Sequence, residues 1–184
     1  QHFLNFLSLG VTTVEAKSGY GLDLASEVKM LEAIQVIQKK TAQTIVPTCL
    51  ALHALPPEAK SKTDFIEMMT SELLTEVAER KLAQFVDAFV EEGYFSCADV
   101  TPFFTRAKEL GLQIRVHADE FTDQKAGLLA ARLGAKSADH LQHASKESIA
   151  TMAKAGCVAV LLPGTSLYTA IKFTAAQEFL QSGC

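Results

Sequence analysis

A short β-branched apolar run followed by a longer stretch of helical spacing recurs six times along the chain, and this alternation restricts the fold more than any other feature. The runs cover residues 11–16, 44–52, 85–90, 113–116, 137–141 and 157–162. Helical periodicity follows in 22–38, 62–83, 98–110, 123–133 and 145–155. In the first of these, Leu24, Val28, Leu31, Ile34 and Ile37 fall three or four apart and form one stripe. Asp23, Thr63, Ser96 and Ser145 are the expected N-caps, and Gly111, Gly134 and Gly156 stand where a C′ glycine ends a helix. The strands read apolar at nearly every position, as in a parallel sheet covered on both faces.

A doubly wound open sheet and a (β/α)8 barrel share this pattern, and the polar residues separate them. Strand one runs into Lys17-Ser18-Gly19-Tyr20-Gly21, strand two into His53 and strand three into Glu91-Glu92. Strand four reaches His117-Ala118-Asp119-Glu120, and strand five carries Asp139-His140. Five consecutive strands thus send titratable or hydrogen-bonding groups to one rim, the place where a barrel gathers its chemistry, whereas an open sheet has its crevice at one switch point. The expected fold is α/β, a partial (β/α)8 TIM-type barrel of about six βα units with the first and last barrel strands missing.

The chain has 184 residues, 48% hydrophobic and 21% charged, which excludes disorder, collagen and coiled coil. Its net charge is −4 with Lys and Arg scattered singly or in pairs, so no nucleic-acid partner is expected. The longest apolar runs, such as 158–163, fall far short of the roughly 20 residues a membrane helix needs, so no membrane span is expected. Residues 1–10 lack the basic region and cleavage site of a signal peptide. The four cysteines form no CxxC, which argues against a zinc knuckle or a disulfide scaffold and for a reducing cytoplasm.

His117 and Glu120 combine a strand-end imidazole, a good metal ligand, with a carboxylate able to move a proton. The same pair also reads as a surface His and a Glu favouring a helix start. His140, beside Asp139, suits polarising a carbonyl or orienting water, or else a strand-end pair satisfied by backbone. His53 precedes the stiff Pro56-Pro57 turn and reads as a placed histidine donor to substrate, or as a packed residue. The glycines around Tyr20 allow positive φ and would present its hydroxyl inward. No Ser or Cys has a base partner in sequence, which argues against covalent catalysis.

Together these segments resemble the imidazolonepropionase family of the amidohydrolase superfamily. The resemblance rests on Val14-Glu15-Ala16-Lys17-Ser18-Gly19-Tyr20-Gly21-Leu22, the His53 loop with Pro56-Pro57-Glu58, and His117-Ala118-Asp119-Glu120-Phe121. Ser137-Ala138-Asp139-His140-Leu141 and Ala159-Val160-Leu161-Leu162-Pro163-Gly164 complete it, in family order over nearly the whole chain. The resemblance implies a metal-dependent hydrolase of histidine degradation that opens the ring of 4-imidazolone-5-propanoate with water, giving N-formimidoyl-L-glutamate. It implies one divalent ion, Zn or Fe, with His117 as a metal ligand. Glu120 would contact substrate and transfer a proton, Tyr20 and His53 would bind substrate, and His140 would assist catalysis. A small-molecule substrate is the implied partner, with a homodimer as the full-length state.

The sequence departs from the family in having no His-x-His ligand pair, no eighth-strand aspartate ligand and no small β-sandwich. Cys49-Leu50-Ala51-Leu52 also stands before His53, where relatives usually carry a glycine. Residues 1–184 are therefore expected to form the central part of a barrel domain and to be inactive by themselves. Two other readings stay open at this stage: another amidohydrolase acting on a cyclic amide or amidine, and a noncatalytic βα protein that binds a small ligand.

Overall fold

The computed structural model of the chain describes residues 2–184. Its strands are β1 (Thr13–Lys17), β2 (Thr44–Leu52), β3 (Phe85–Val90), β4 (Gln113–Ala118), β5 (Ser137–His140) and β6 (Val158–Val160), all parallel and paired in chain order. A doubly wound sheet reverses that order at a switch point, and this one never does. The fold is an α/β partial TIM-type barrel, with β1 and β6 as its two edges.

The helices are α1 (His2–Ser8), α2 (Leu24–Gln38), α3 (Lys62–Met68), α4 (Leu74–Glu79), α5 (Cys97–Glu109), α6 (Ala126–Leu133), α7 (Lys146–Ala155), α8 (Pro163–Thr169) and α9 (Ala176–Ser182). They cover the outer face of the sheet, where Leu31, Leu73, Leu74, Phe103, Phe104 and Met152 are fully buried with Leu52, Val86 and Val116 from the strands. Side chains of this size each contribute about 1.5–3 kcal/mol when fully buried, so this outer layer holds the sheet in place. No helix among the described residues is long and apolar enough to cross a membrane.

Several sequence expectations change. The helix expected over 62–83 is broken by a π-helical turn (Met69–Leu73), where the hydroxyls of Thr70 and Ser71 each donate to the carbonyl four residues back, as Thr75 does just beyond it. Ser61, not Thr63, caps its start by accepting from the Asp64 N–H. Helix α6 begins at Ala126 because Lys125 before it holds left-handed backbone at φ +61°, which no right-handed helix includes. The short α1, α8 and α9 were not signalled, and neither α8 nor α9 has a side-chain N-cap bond. The strands are not apolar throughout either. Glu15 and Lys17, Asp87, Arg115 and His117, and Ser137 and Asp139 point to the inner side and make it polar.

Candidate active site

The loop after β1 is shaped by Glu27, a wholly buried residue of α2. Its carboxylate accepts from the backbone N–H groups of Gly19 (2.8 Å), Gly21 (2.8 Å) and Leu22 (3.0 Å). Gly19 sits at φ +114°, and a Cβ there would come within 2.9 Å of the Leu50 carbonyl oxygen, so only glycine fits. The turn carries Tyr20 outward. Its ring is 79% exposed and meets His53 edge-on at 5.0 Å between centroids. The hydroxyl expected to point inward stands at the mouth, with no protein partner among the described residues. His53 Nδ1 lies 2.8 Å from the Gly19 carbonyl oxygen. That oxygen only accepts, so Nδ1 carries the proton and a neutral His53 offers Nε2 as an acceptor. The donor role expected for His53 therefore reverses in the neutral ring.

The ends of β4 and β5 bring His117, Glu120 and His140 together. The rings of His117 and His140 are 5.2 Å apart, with His53 6.4 Å from His117. Glu120 is 6% exposed, and its Oε1 lies 3.4 Å from His140 Nδ1. Two buried carboxylates brace the loop that carries it. Asp119, at φ +51°, accepts from the N–H groups of Gln124, Ala126 and Gly127. Glu91 accepts from the N–H groups of Phe121 and Glu92 and from the Thr122 hydroxyl. His140 and Leu141 also hold left-handed backbone at φ +76° and +61°, and the Thr174 hydroxyl donates to the His140 carbonyl. Such sparsely populated conformations persist only where the surroundings fix them. The His143 backbone N–H donates to the Asp119 carbonyl.

Beneath these residues lies a layer of charges inside the sheet. Lys17 Nζ is 2.7 Å from Asp87 Oδ2, 3.2 Å from Glu15 Oε1 and 3.5 Å from Asp139 Oδ2. Arg115 Nε is 3.2 Å from Glu15 Oε1. Asp87 also reaches His117, with Oδ2 at 2.9 Å from Nδ1 and Oδ1 accepting from the backbone N–H at 3.1 Å. The Nδ1 contact has ion-pair distance without hydrogen-bond alignment, which leaves this buried nitrogen without a full partner.

These surroundings sort the titrations. Burial opposes the charge on Asp87, but His117 and Lys17 outweigh it and hold the carboxyl well below its usual range. Burial likewise works against protonation of His117, and Asp87 reverses the outcome and raises it. Burial, aided by the His117 charge, lowers His140 to about 4. Burial raises Glu120, with His117 opposing and Glu91 adding to the rise. The site therefore holds a neutral imidazole beside an acid with elevated proton affinity, a pairing suited to moving a proton during reaction.

Asp87, His117 and Asp139 offer ligand atoms that lie within 4.8 Å of one another, the group of metal-ligating side chains that the described residues assemble. His117 fits a metal well, because its Nδ1 side meets a carboxylate while no protein group hydrogen-bonds Nε2 among the described residues. Asp87 and Asp139 fit less well as ligands, since both already face the Lys17 ammonium. The sequence reading identified His117, Glu120, His140, Tyr20 and His53, and the structure places all five at one rim. Glu91 was placed at the rim but given no role, and Asp87, Glu15, Arg115 and Glu27 were not singled out as site residues. For Glu15-x-Lys17, Arg115-x-His117 and Ser137-x-Asp139, the available signal was polar residues two apart within a strand.

No family model matches the chain. The imidazolonepropionase of Symbiobacterium thermophilum is 46% identical over 178 residues, covering 95% of this chain and 42% of that protein. The imidazolonepropionase of Bacillus cereus is 48% identical over 168 residues, covering 91% of this chain and 40% of that protein. The chain is homologous to imidazolonepropionases over nearly its whole length. It spans about two fifths of the length of the curated relatives it matches. Among solved structures, the chain is similar to 5-methylcytosine deaminase from Klebsiella pneumoniae, with TM-score 0.72 and 15% identity over 99% of this chain and 48% of that one. It is also similar to an atrazine chlorohydrolase mutant from Arthrobacter aurescens complexed with zinc and atraton, with TM-score 0.66 and 13% identity over 98% of this chain and 45% of that one. At these identities the likeness establishes the fold alone. The expectation of an imidazolonepropionase relationship is borne out by the sequence relatives.

Proposed function

We propose that the full-length protein carrying this chain is a metal-dependent cytoplasmic hydrolase that opens the ring of 4-imidazolone-5-propanoate with water, giving N-formimidoyl-L-glutamate. Residues 1–184 are read as the central part of its barrel domain and as inactive without further metal ligands. The observation that carries this reading is the convergence of Tyr20, His53, His117, Glu120 and His140 on one rim, in a chain 46% identical to an imidazolonepropionase.

His117 would hold the ion through Nε2. When bound, Zn²⁺ or Fe²⁺ supplies a hydroxide near neutral pH and polarises the ring carbonyl. Glu120 takes the proton released as the new C–O bond forms and delivers it to the ring nitrogen as the C–N bond breaks, a transfer its raised proton affinity favours. His140, neutral because burial disfavours its charge, stabilises the developing oxyanion by hydrogen bonding. His53 Nε2 accepts from a ring N–H, and the Tyr20 hydroxyl contacts the polar edge of the substrate at the mouth.

The test is a substrate panel on the metal-loaded full-length protein. The reading requires hydrolysis of 4-imidazolone-5-propanoate, with cytosine and guanine left intact. Deamination of either base in preference to ring opening would replace it with another amidohydrolase activity, and no turnover with metal bound would favour a noncatalytic binder.

A further inference from the structure

We propose that Asp87 is the positioning residue for His117, fixing backbone and ring together so that Nε2 faces the cleft as the ligating atom. The inference rests on the proposed role of His117 as a metal ligand. Asp87 comes from the middle of β3, one strand away, and is wholly buried. One of its oxygens accepts from the His117 backbone N–H at 3.1 Å while the other lies 2.9 Å from Nδ1 of the same residue. The carboxylate holds the main chain by a hydrogen bond and lies within ion-pair distance of the ring, so a small rotation of the imidazole completes the Nδ1 hydrogen bond on the same rigid partner. A ligating histidine usually gives its second ring N–H to such a carboxylate, which sets the tautomer and strengthens the ligand.

A competing view makes Asp87 only a counter-ion for Lys17, whose Nζ lies 2.7 Å from the same oxygen. Lys17, however, also pairs with Glu15 at 3.2 Å and with Asp139 at 3.5 Å. His117 has no carboxylate other than Asp87 within ion-pair distance among the described residues. Asp87 is therefore one of three partners for the lysine and the single one for the histidine. In turn the lysine helps this buried carboxylate keep its charge, and so keeps it an acceptor for the ring.

Two measurements on the metal-free full-length protein test the assignment. The first is the ¹⁵N NMR spectrum of the His117 imidazole in the wild type, above its titration. A proton on Nδ1 supports the proposal, and a proton on Nε2 overturns it whether or not any variant folds. The second is Zn²⁺ affinity by competition with a chromophoric chelator, for wild type, Asp87→Asn and His117→Ala, with thermal melts to show that the variants are folded. Asp87→Asn should weaken Zn²⁺ binding about 10- to 100-fold. Wild-type affinity in a folded Asp87→Asn overturns the positioning role alone, provided His117→Ala loses the ion. Wild-type affinity in His117→Ala overturns the metal-ligand reading as well, so the two failures are distinguishable.

Discussion

Tyr20 and Glu120 face the same opening but are held in contrasting ways. Tyr20 is 79% exposed at the tip of a turn, and the carboxylate that shapes the turn grips its backbone and not its ring. Glu120 is 6% exposed, and Asp119 and Glu91 pin the loop around it from both sides. The β1–β2 side of the rim thus presents a wet, adaptable edge suited to recognising a small molecule. The β3–β5 side is a drier, pre-set cluster in which electrostatic effects are stronger and cost less reorganisation at the moment of reaction.

The largest effect should come from the buried side. Replacing His117 by Ala in the full-length protein should remove the bound metal and with it all measurable ring opening, checked by elemental analysis and assay. Retention of metal would break the division of labour between the two sides. Glu27→Gln comes next, because the amide turns an N–H donor toward a backbone N–H and loses charge-assisted bonds. A stability loss of about 1–3 kcal/mol is expected in chemical denaturation. Tyr20→Phe should be smaller, raising KM about 3- to 10-fold with kcat nearly unchanged, as for one exposed hydrogen bond. A large fall in kcat instead would move Tyr20 to the chemical side.

The two buried histidines sharpen the comparison further. In the metal-free protein His117 should titrate above the ordinary 6.5 and His140 near 4. The signs of their contributions to stability are opposite. The His140 contribution is full above 6.5 and is lost as pH falls toward 4, because the unfolded state takes up the proton first. The His117 contribution is full below 6.5 and is lost as pH rises through its folded value. Imidazole proton shifts followed against pH would show this order, and a reversed order would contradict the assigned environments.

Much of this architecture was legible in the sequence because it depends on local pattern. The three-to-four spacing of Leu24, Val28, Leu31 and Ile34 makes a helix wherever it lies, and Asp23 caps it as expected. His117 and His140 stood out because each lies at the C-terminal end of a strand, and Glu120 because it follows His117 by three residues. Asp87 did not, since it is a single polar residue inside the run FVDAFV, and its partner Lys17 lies 70 residues earlier. Glu27 read as an ordinary acid in the first turn of a helix, and nothing local reveals that it folds back on the preceding loop. Pairings of this kind are set by which strands become neighbours, and so they emerge only with the fold.

Glu120 is proposed to move the proton in a metal-dependent ring opening while taking no part in holding the metal. Measuring turnover of 4-imidazolone-5-propanoate together with metal content for Glu120→Gln in the full-length protein tests it most directly. Full metal content is expected, with turnover lowered about 10²- to 10⁴-fold. Wild-type turnover, or a loss of turnover fully matched by loss of metal, would contradict it.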